Sequence, residues 1–237
     1  TGTPLTTVTV GSPSIGAGAF YNLSSLTSVT MTSTVTSIGA SAFNGTGLTS
    51  VVIPESVISI DGMAFANTQL SSVEIPDSVI TLNPDIFTGT PLTTVTIGSP
   101  SIGDGAFNGL SSLTSVTMTS TVTSIGAGAF ANTQLSSVVI PDSVISIDGN
   151  AFGNTQLSSV EIPDSVTTIG DYAFGNTQLS SVVIPDSVTT IGEEAFYNTS
   201  LSEVIIMVSE EVGNYPDFSA SFDSDSVTVT YSAILDS

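Results

Sequence analysis

A leucine recurs every 21 or 22 residues along this chain: Leu5, Leu26, Leu48, Leu70, Leu92, Leu113, Leu135, Leu157, Leu179 and Leu201. A phenylalanine keeps step with it: Phe20, Phe43, Phe65, Phe87, Phe107, Phe130, Phe152, Phe174 and Phe196. A period of this length confines the chain to a repeat architecture. One such unit cannot bury its own apolar side, whereas stacked units cover one another.

Two units show what the pattern holds fixed. GNTQLSSVEIPDSVTTIG at 153–170 and GNTQLSSVVIPDSVTTIG at 175–192 differ only at Glu161 and Val183. The alternation in LSSVVIP predicts a short strand with Leu179, Val182 and Ile184 inward. Pro185 ends it, because proline has no amide for a ladder. SVTTIG predicts a second extended piece burying Val188 and Ile191. Gly192 permits a turn, EEAF predicts a short helical turn that puts Phe196 inside, and Asn198-Thr199 turns the chain back. Residue 183 lies between two inward residues, so it faces out and accepts a hydrocarbon or a charge. The expected fold is a repeat solenoid of about ten coils, with a parallel β-sheet on one face and short second strands and helical turns on the other. Strands of successive coils would lie roughly 4.8 Å apart, in a rod on the order of 50 Å long.

The outward position reads Thr9, Thr30, Val52, Glu74, Thr96, Thr117, Val139, Glu161, Val183, Ile205, so a larger repeat of four coils is present. GTPLTTVTVGSPSIGAGAF at 2–20 returns, nearly unchanged, 87 residues later at 89–107. Thr1 aligns with Thr88, one past Phe87, which predicts that the chain begins inside a unit and that the array continues upstream. The solenoid is assigned to 1–206 and a C-terminal capping segment to 207–237, where SVTVTYSAIL at 226–235 is expected to cover the open edge.

Composition narrows the function. The chain has no Lys, Arg, His, Cys or Trp, and its 21 Asp and Glu give a net charge of −21. Nothing can neutralise phosphates, so nucleic acid is excluded as a partner, as are anionic membrane surfaces. No apolar run reaches the roughly 18 residues that suggest a membrane span, so no membrane insertion is expected. Disulfides and thiolate metal sites are excluded too. No residue type is present for a His, Cys or Lys base or nucleophile, and the carboxylates sit on repeated turns without a unique cleft, so an enzyme is not expected. The charge is uneven: residues 1–54 carry none, and 193–237 carry nine carboxylates.

The combined pattern LxxVxIPDSVTxIGxxAFxNT, from about Leu5 to Ile206, resembles the leucine-rich repeats of the BspA-like family, also called the Treponema pallidum type. The resemblance implies a curved solenoid, a cell-surface or secreted location, and adhesion to hosts or other cells. It brings no catalytic residues. Where family repeats often place Cys three residues after the Phe, this chain has Leu23, Thr46, Thr68, Leu110, Thr133, Thr155, Thr177 and Thr199. Lysines common on such repeats are absent, which argues against adhesion through basic patches.

Three candidate sites follow. The first is the outward sheet face, represented by Thr7, Thr9, Ser28, Thr30, Glu74, Thr94, Thr96, Ser115, Thr117 and Glu161. Its regular hydroxyls could bind a glycan, a partner protein or another solenoid. Thr-x-Thr at 7–9 and 94–96 also matches ice-binding surfaces, although Glu74 and Glu161 interrupt such a lattice. The same residues equally suit a hydrated strand and nothing more. The second is the column Asp142, Asp164 and Asp186 after the strand proline, where stacked like charges invite calcium; hydrated turn residues are the plainer account. No other cofactor is expected. The third is glycosylation at Asn22, Asn44 and Asn198, each in an N-x-S/T acceptor pattern. The expected function is an extracellular or cell-surface structural or adhesive protein. Its partner would be itself, in a fibre or lateral assembly, or a cell-surface or matrix protein or glycan. An ice-binding protein and a monomeric glycan- or protein-recognition module are the alternatives.

Overall fold

A computed structural model of the chain describes residues 4–208, 221 and 228–233. From Leu5 to Leu201 the backbone makes nine full turns of a spiral of parallel strands, and each coil has three sides.

The first side carries the long strands. They pair in register one repeat apart, as in Thr7↔Ser28 and Thr9↔Thr30, or Ser72↔Thr94 and Thr94↔Ser115. Val73, Val95 and Val182 point inward with Ile75, Ile97 and Ile184, while Thr94, Glu74 and Val183 face out. The alternation in sequence is therefore the alternation in space. The second side carries two-residue strands, Ser14–Ile15 through Thr190–Ile191, whose isoleucines enter the same core. Its ladder runs in two stretches, one through Ser59–Ile60 and one from Thr81–Leu82 onward.

The third side departs from expectation. Among the described residues there is no α-helix; GxxAFxNT folds as successive four-residue turns. Alternate amides close the turns, as Ala19 N–H to Gly16 O and Tyr21 N–H to Gly18 O. The intervening amides cross to the next coil, as Gly18 to Ala40 O, Phe20 to Ala42 O and Asn22 to Asn44 O. The cause is a positive φ two residues before and two residues after each phenylalanine, as at Gly18 and Asn22 around Phe20 or Met63 and Asn67 around Phe65. A left-handed residue at that spacing forbids a helix and suits the third position of a turn.

The phenylalanines form one continuous stack. Successive ring centroids lie 5.2 to 5.9 Å apart and interplanar angles stay between 2 and 12° from Phe20 to Phe196. With the leucine column from Leu26 to Leu201 they form a single core, from which Leu5 is left exposed. Where Thr stands three residues after the Phe, as it does in every coil but those of Phe20 and Phe107, it enters the interior at no polar cost. Thr68, Thr133, Thr155 and Thr177 are buried, and each hydroxyl donates 2.8–2.9 Å to the Phe carbonyl of its own turn.

At the C-terminal side, Thr228–Ala233 pairs in parallel with Glu203–Val208 in the register Glu203↔Thr228. The expected covering strand is thus present in part. Ser221 continues the turn side, its carbonyl accepting from Phe196 N–H at 3.1 Å. The Asp-Ser-Asp run at 223–225 lies outside the described residues.

Candidate functional site: an interrupted sheet face

The long-strand face is not one continuous sheet. Strands are present in coils 1 and 2, in coils 4, 5 and 6, and in coils 9 and 10 together with 228–233. Over Val51–Ile53, Val138–Ile140 and Ser159–Ile162 no backbone hydrogen bond reaches a neighbouring coil.

Proline accounts for every break. In paired coils the residue after the strand donates back to the end of the preceding strand: Thr32 to Val10 O at 3.0 Å, Gly98 to Ile75 O at 2.8 Å and Thr119 to Ile97 O at 3.0 Å. Coil 10 has Met207 at this position and its strand pairs with 181–184. The other five coils have Pro54, Pro76, Pro141, Pro163 and Pro185 there, and none pairs with the coil before it. Proline has no N–H, so the last bond of the ladder cannot form. The sequence marks Pro185 as the end of its own strand; the structure shows that such a proline also detaches its strand from the previous one.

The predicted face residues thus fall into two kinds. Thr7, Thr9, Ser28 and Thr30 lie on one paired two-coil patch, and Thr94, Thr96, Ser115 and Thr117 on a second, four coils later. All of these are exposed except Thr96, which is half-buried beside Glu74 in the register Glu74↔Thr96. Glu161 instead sits on an unpaired coil between Val139 and Val183, and Val139 is 81 % exposed.

Where the ladder is open, the face is cleft. One cleft of about 520 Å³ lies between coils 7 and 8, lined by Val138, Val139, Asp142, Glu161 and Pro163 among others. A second of about 520 Å³ adjoins it between coils 8 and 9, lined by Glu161, Asp164, Val183, Pro185 and Met207 among others. A smaller one, about 200 Å³, lies between coils 3 and 4 against Val52, Glu55 and Glu74.

Asp142, Asp164 and Asp186 are exposed, one per coil. Among the described residues no three carboxylates come together as a metal-binding group. The serine beside each Asp ties its coil to the one before. Ser143, Ser165 and Ser187 donate 2.6, 2.7 and 2.8 Å to Val122, Val144 and Val166 carbonyls of the preceding coil. Sequence reasoning missed these bonds, although the constant Asp-Ser-Val triplet was their signal. Of the acceptor asparagines, Asn22 and Asn198 are exposed, whereas Asn44 is buried and its Oδ1 accepts from Asn67 Nδ2 at 3.0 Å.

Two groups away from the face titrate abnormally. Burial holds the Asp148 carboxyl above its ordinary 3.8, Asp104 adds repulsion, and a hydrogen bond with Ser146 partly offsets both. The Tyr172 phenol is raised above 10.0, chiefly by its hydrogen bond to Glu194.

Comparison with known proteins agrees with this architecture. The family described as the BspA type leucine rich repeat region, in six copies, matches residues 2–102 and 100–221. No curated protein matches the chain. Solved structures do. A leucine-rich repeat protein from Bacteroides ovatus superposes with a TM-score of 0.62 at 23 % identity, covering 97 % of this chain and 61 % of its own. One from Eubacterium ventriosum gives 0.53 at 23 % identity, covering 96 % and 73 %. The pneumococcal vaccine antigen PcpA gives 0.52 at 18 %, covering 95 % and 74 %. The chain therefore spans less than two thirds of the Bacteroides protein's length.

Proposed function

The chain belongs to the BspA-type leucine-rich repeat family, and from that premise we propose that it is a non-enzymatic adhesive module of a cell surface or extracellular structure. It works as a stiff spacer that presents its long-strand face to a partner protein, a glycan or a second copy of itself. The observation that carries this reading is the patterning of that face. Paired hydroxyl patches on coils 1–2 and 5–6 alternate, every 87 residues, with pairs of coils whose outward residues are Val and Glu. Stiffness alone does not call for a four-coil pattern at outward positions. The lack of Lys and Arg also leaves trypsin-like proteases no cleavage site, which suits an exposed protein.

The test is attachment. The chain, immobilised by its C-terminus, is offered to bacterial and epithelial cells and to a glycan array. Retention that falls when Thr9, Thr30, Thr96 and Thr117 are changed to Asp, but not when exposed residues of the second side are changed, supports the reading. Equal retention by both sets of variants, or none by the unaltered chain, overturns it.

A further inference from the structure

Resting on the reading of the long-strand face as the binding face, we infer that its partner is a second copy of the same chain, packed face to face and antiparallel about a two-fold axis at Thr96.

The face keeps an even spacing where its ladder is open, because hydrogen bonds on both flanks hold the coils together. Between coils 7 and 8, Gln156 N–H donates to Leu135 O and Thr167 N–H to Ile145 O, each at 2.9 Å. One outward side chain therefore recurs per strand spacing of about 4.8 Å. The series is Thr9, Thr30, Val52, Glu74, Thr96, Thr117, Val139, Glu161, Val183.

A two-fold axis running along the strands at coil 5 turns this series end for end. Thr96 then meets itself, and Val52 meets the partner's Val139. Glu74 meets the partner's Thr117, Glu161 meets the partner's Thr30, and Thr9 meets the partner's Val183. Val52 and Val139, at 80 % and 81 %, are the most exposed large apolar side chains among the described residues, and this pairing shields both at once. The side chains of Glu74, Glu161, Thr30 and Thr117 have no hydrogen-bond partner within the described residues. A carboxylate accepts and a hydroxyl donates, and in a chain without Lys, Arg or His the hydroxyls are the donors this face offers.

Other arrangements fail on the same series. A parallel pair sets Glu74 on Glu74 and Glu161 on Glu161. Moving the antiparallel axis by one coil sets Glu74 against Glu74 on one side and against Glu161 on the other. Like charges opposed in this way are destabilising. Moving it by half a coil sets Val52 against Thr117 or against Glu161, and the apolar pairing is lost. Nine coils of about 4.8 Å and four residues of about 3.3 Å give roughly 550 Å² per copy, or about 1,100 Å² in all, enough for a specific interface. At the rim Glu55 comes opposite the partner's Asp142, so association should strengthen with salt.

The chain has no cysteine, so introduced thiols report the register. The whole chain is examined by sedimentation equilibrium at physiological ionic strength. Val52→Cys, Val139→Cys and the double variant are oxidised and run on a denaturing gel. Within one chain the two positions lie four coils apart, about 19 Å, beyond the reach of a disulfide. The expected result is a dimer that the double variant cross-links, as does a mixture of the two single variants, and that neither single variant cross-links alone. Thr30→Glu with Thr117→Glu sets a carboxylate against each Glu and should weaken association at least about tenfold. A monomer at about 0.1 mM overturns the inference. So do single variants that cross-link as readily as the double, or a dimer that the two glutamates leave unchanged. A monomeric chain that still attaches to cells removes the dimer and leaves the adhesive reading standing.

Discussion

The amide of Thr119 donates to the carbonyl of Ile97 across 3.0 Å, and with that bond the strands 94–97 and 115–118 stay paired to their ends. One coil later Pro141 has nothing to donate, and the ladder to Met118 is absent. Substituting at this one position should therefore move a coil between the two states. Thr119→Pro is expected to cost about 0.5–1.5 kcal/mol for the lost bond, partly offset by the stiffer unfolded chain. The Ser115–Met118 amides should exchange at least about tenfold faster. Pro141→Thr should do the reverse to Ser137–Ile140 with little change in melting temperature. Hydrogen exchange read by NMR separates the two; no difference in exchange in either variant would sink the proline account.

The phenylalanine stack makes each ring the floor of one coil and the roof of the next. Phe130 is fully buried, with rings 5.4 Å away on both sides. Phe130→Ala is expected to cost about 3–5 kcal/mol. Ser165→Ala removes one coil-to-coil bond, to Val144 O at 2.7 Å, and should cost about 1 kcal/mol. Urea unfolding of the two variants tests the ranking, which fails if the serine change costs as much as the ring.

Met63 holds φ at 59° and is 46 % exposed. A non-glycine residue there costs about 1–2 kcal/mol, and glycine gives back about 0.5–1 kcal/mol in unfolded-chain entropy. Met63→Gly should therefore be neutral to stabilising, by up to about 1 kcal/mol. Asn67→Val, at the companion turn position, loses the bond to Asn44 as well as the tolerated conformation, and should destabilise. Thermal melts of both variants are sufficient, and a destabilised Met63→Gly would contradict the strain.

These turns mark the limit of what the sequence could disclose. The leucine and phenylalanine columns were legible because burial repeats with the coil, and residue 183 was legible because strands alternate. The left-handed positions were hidden: Met63, Tyr172 and Glu194 occupy them as readily as Gly105 or Gly128, so EEAF looked like a helical turn. Stacking enforces the conformation through amides that reach the next coil, a constraint no single unit contains. The opened sheet was hidden for the same reason. Whether a strand pairs depends on the residue that follows it in the next coil, and only aligning Thr32, Gly98 and Thr119 against the five prolines exposes the rule.

The last prediction concerns charge. With no basic side chain, interactions among the side-chain charges are repulsive, so the fold should respond to salt and acid in one direction only. Asp148 shows the sign. Its carboxyl is raised in the folded state, chiefly by burial, so the fold binds that proton more tightly than the unfolded chain does. Its contribution is full below the ordinary value of 3.8 and is lost as pH rises through the raised folded value. Melting temperature should therefore climb as the pH is lowered from neutrality toward the carboxylate range. Asp148→Asn should raise it at pH 7 and flatten the climb. Sodium chloride should raise it too, by screening repulsion that no ion pair offsets. Calcium chloride at matched ionic strength is expected to act alike, since no three carboxylates gather among the described residues. An additional rise specific to calcium, abolished by Asp142→Asn, Asp164→Asn and Asp186→Asn together, would place the ion on that column. A fall with either salt would mean that attraction, not repulsion, dominates the surface.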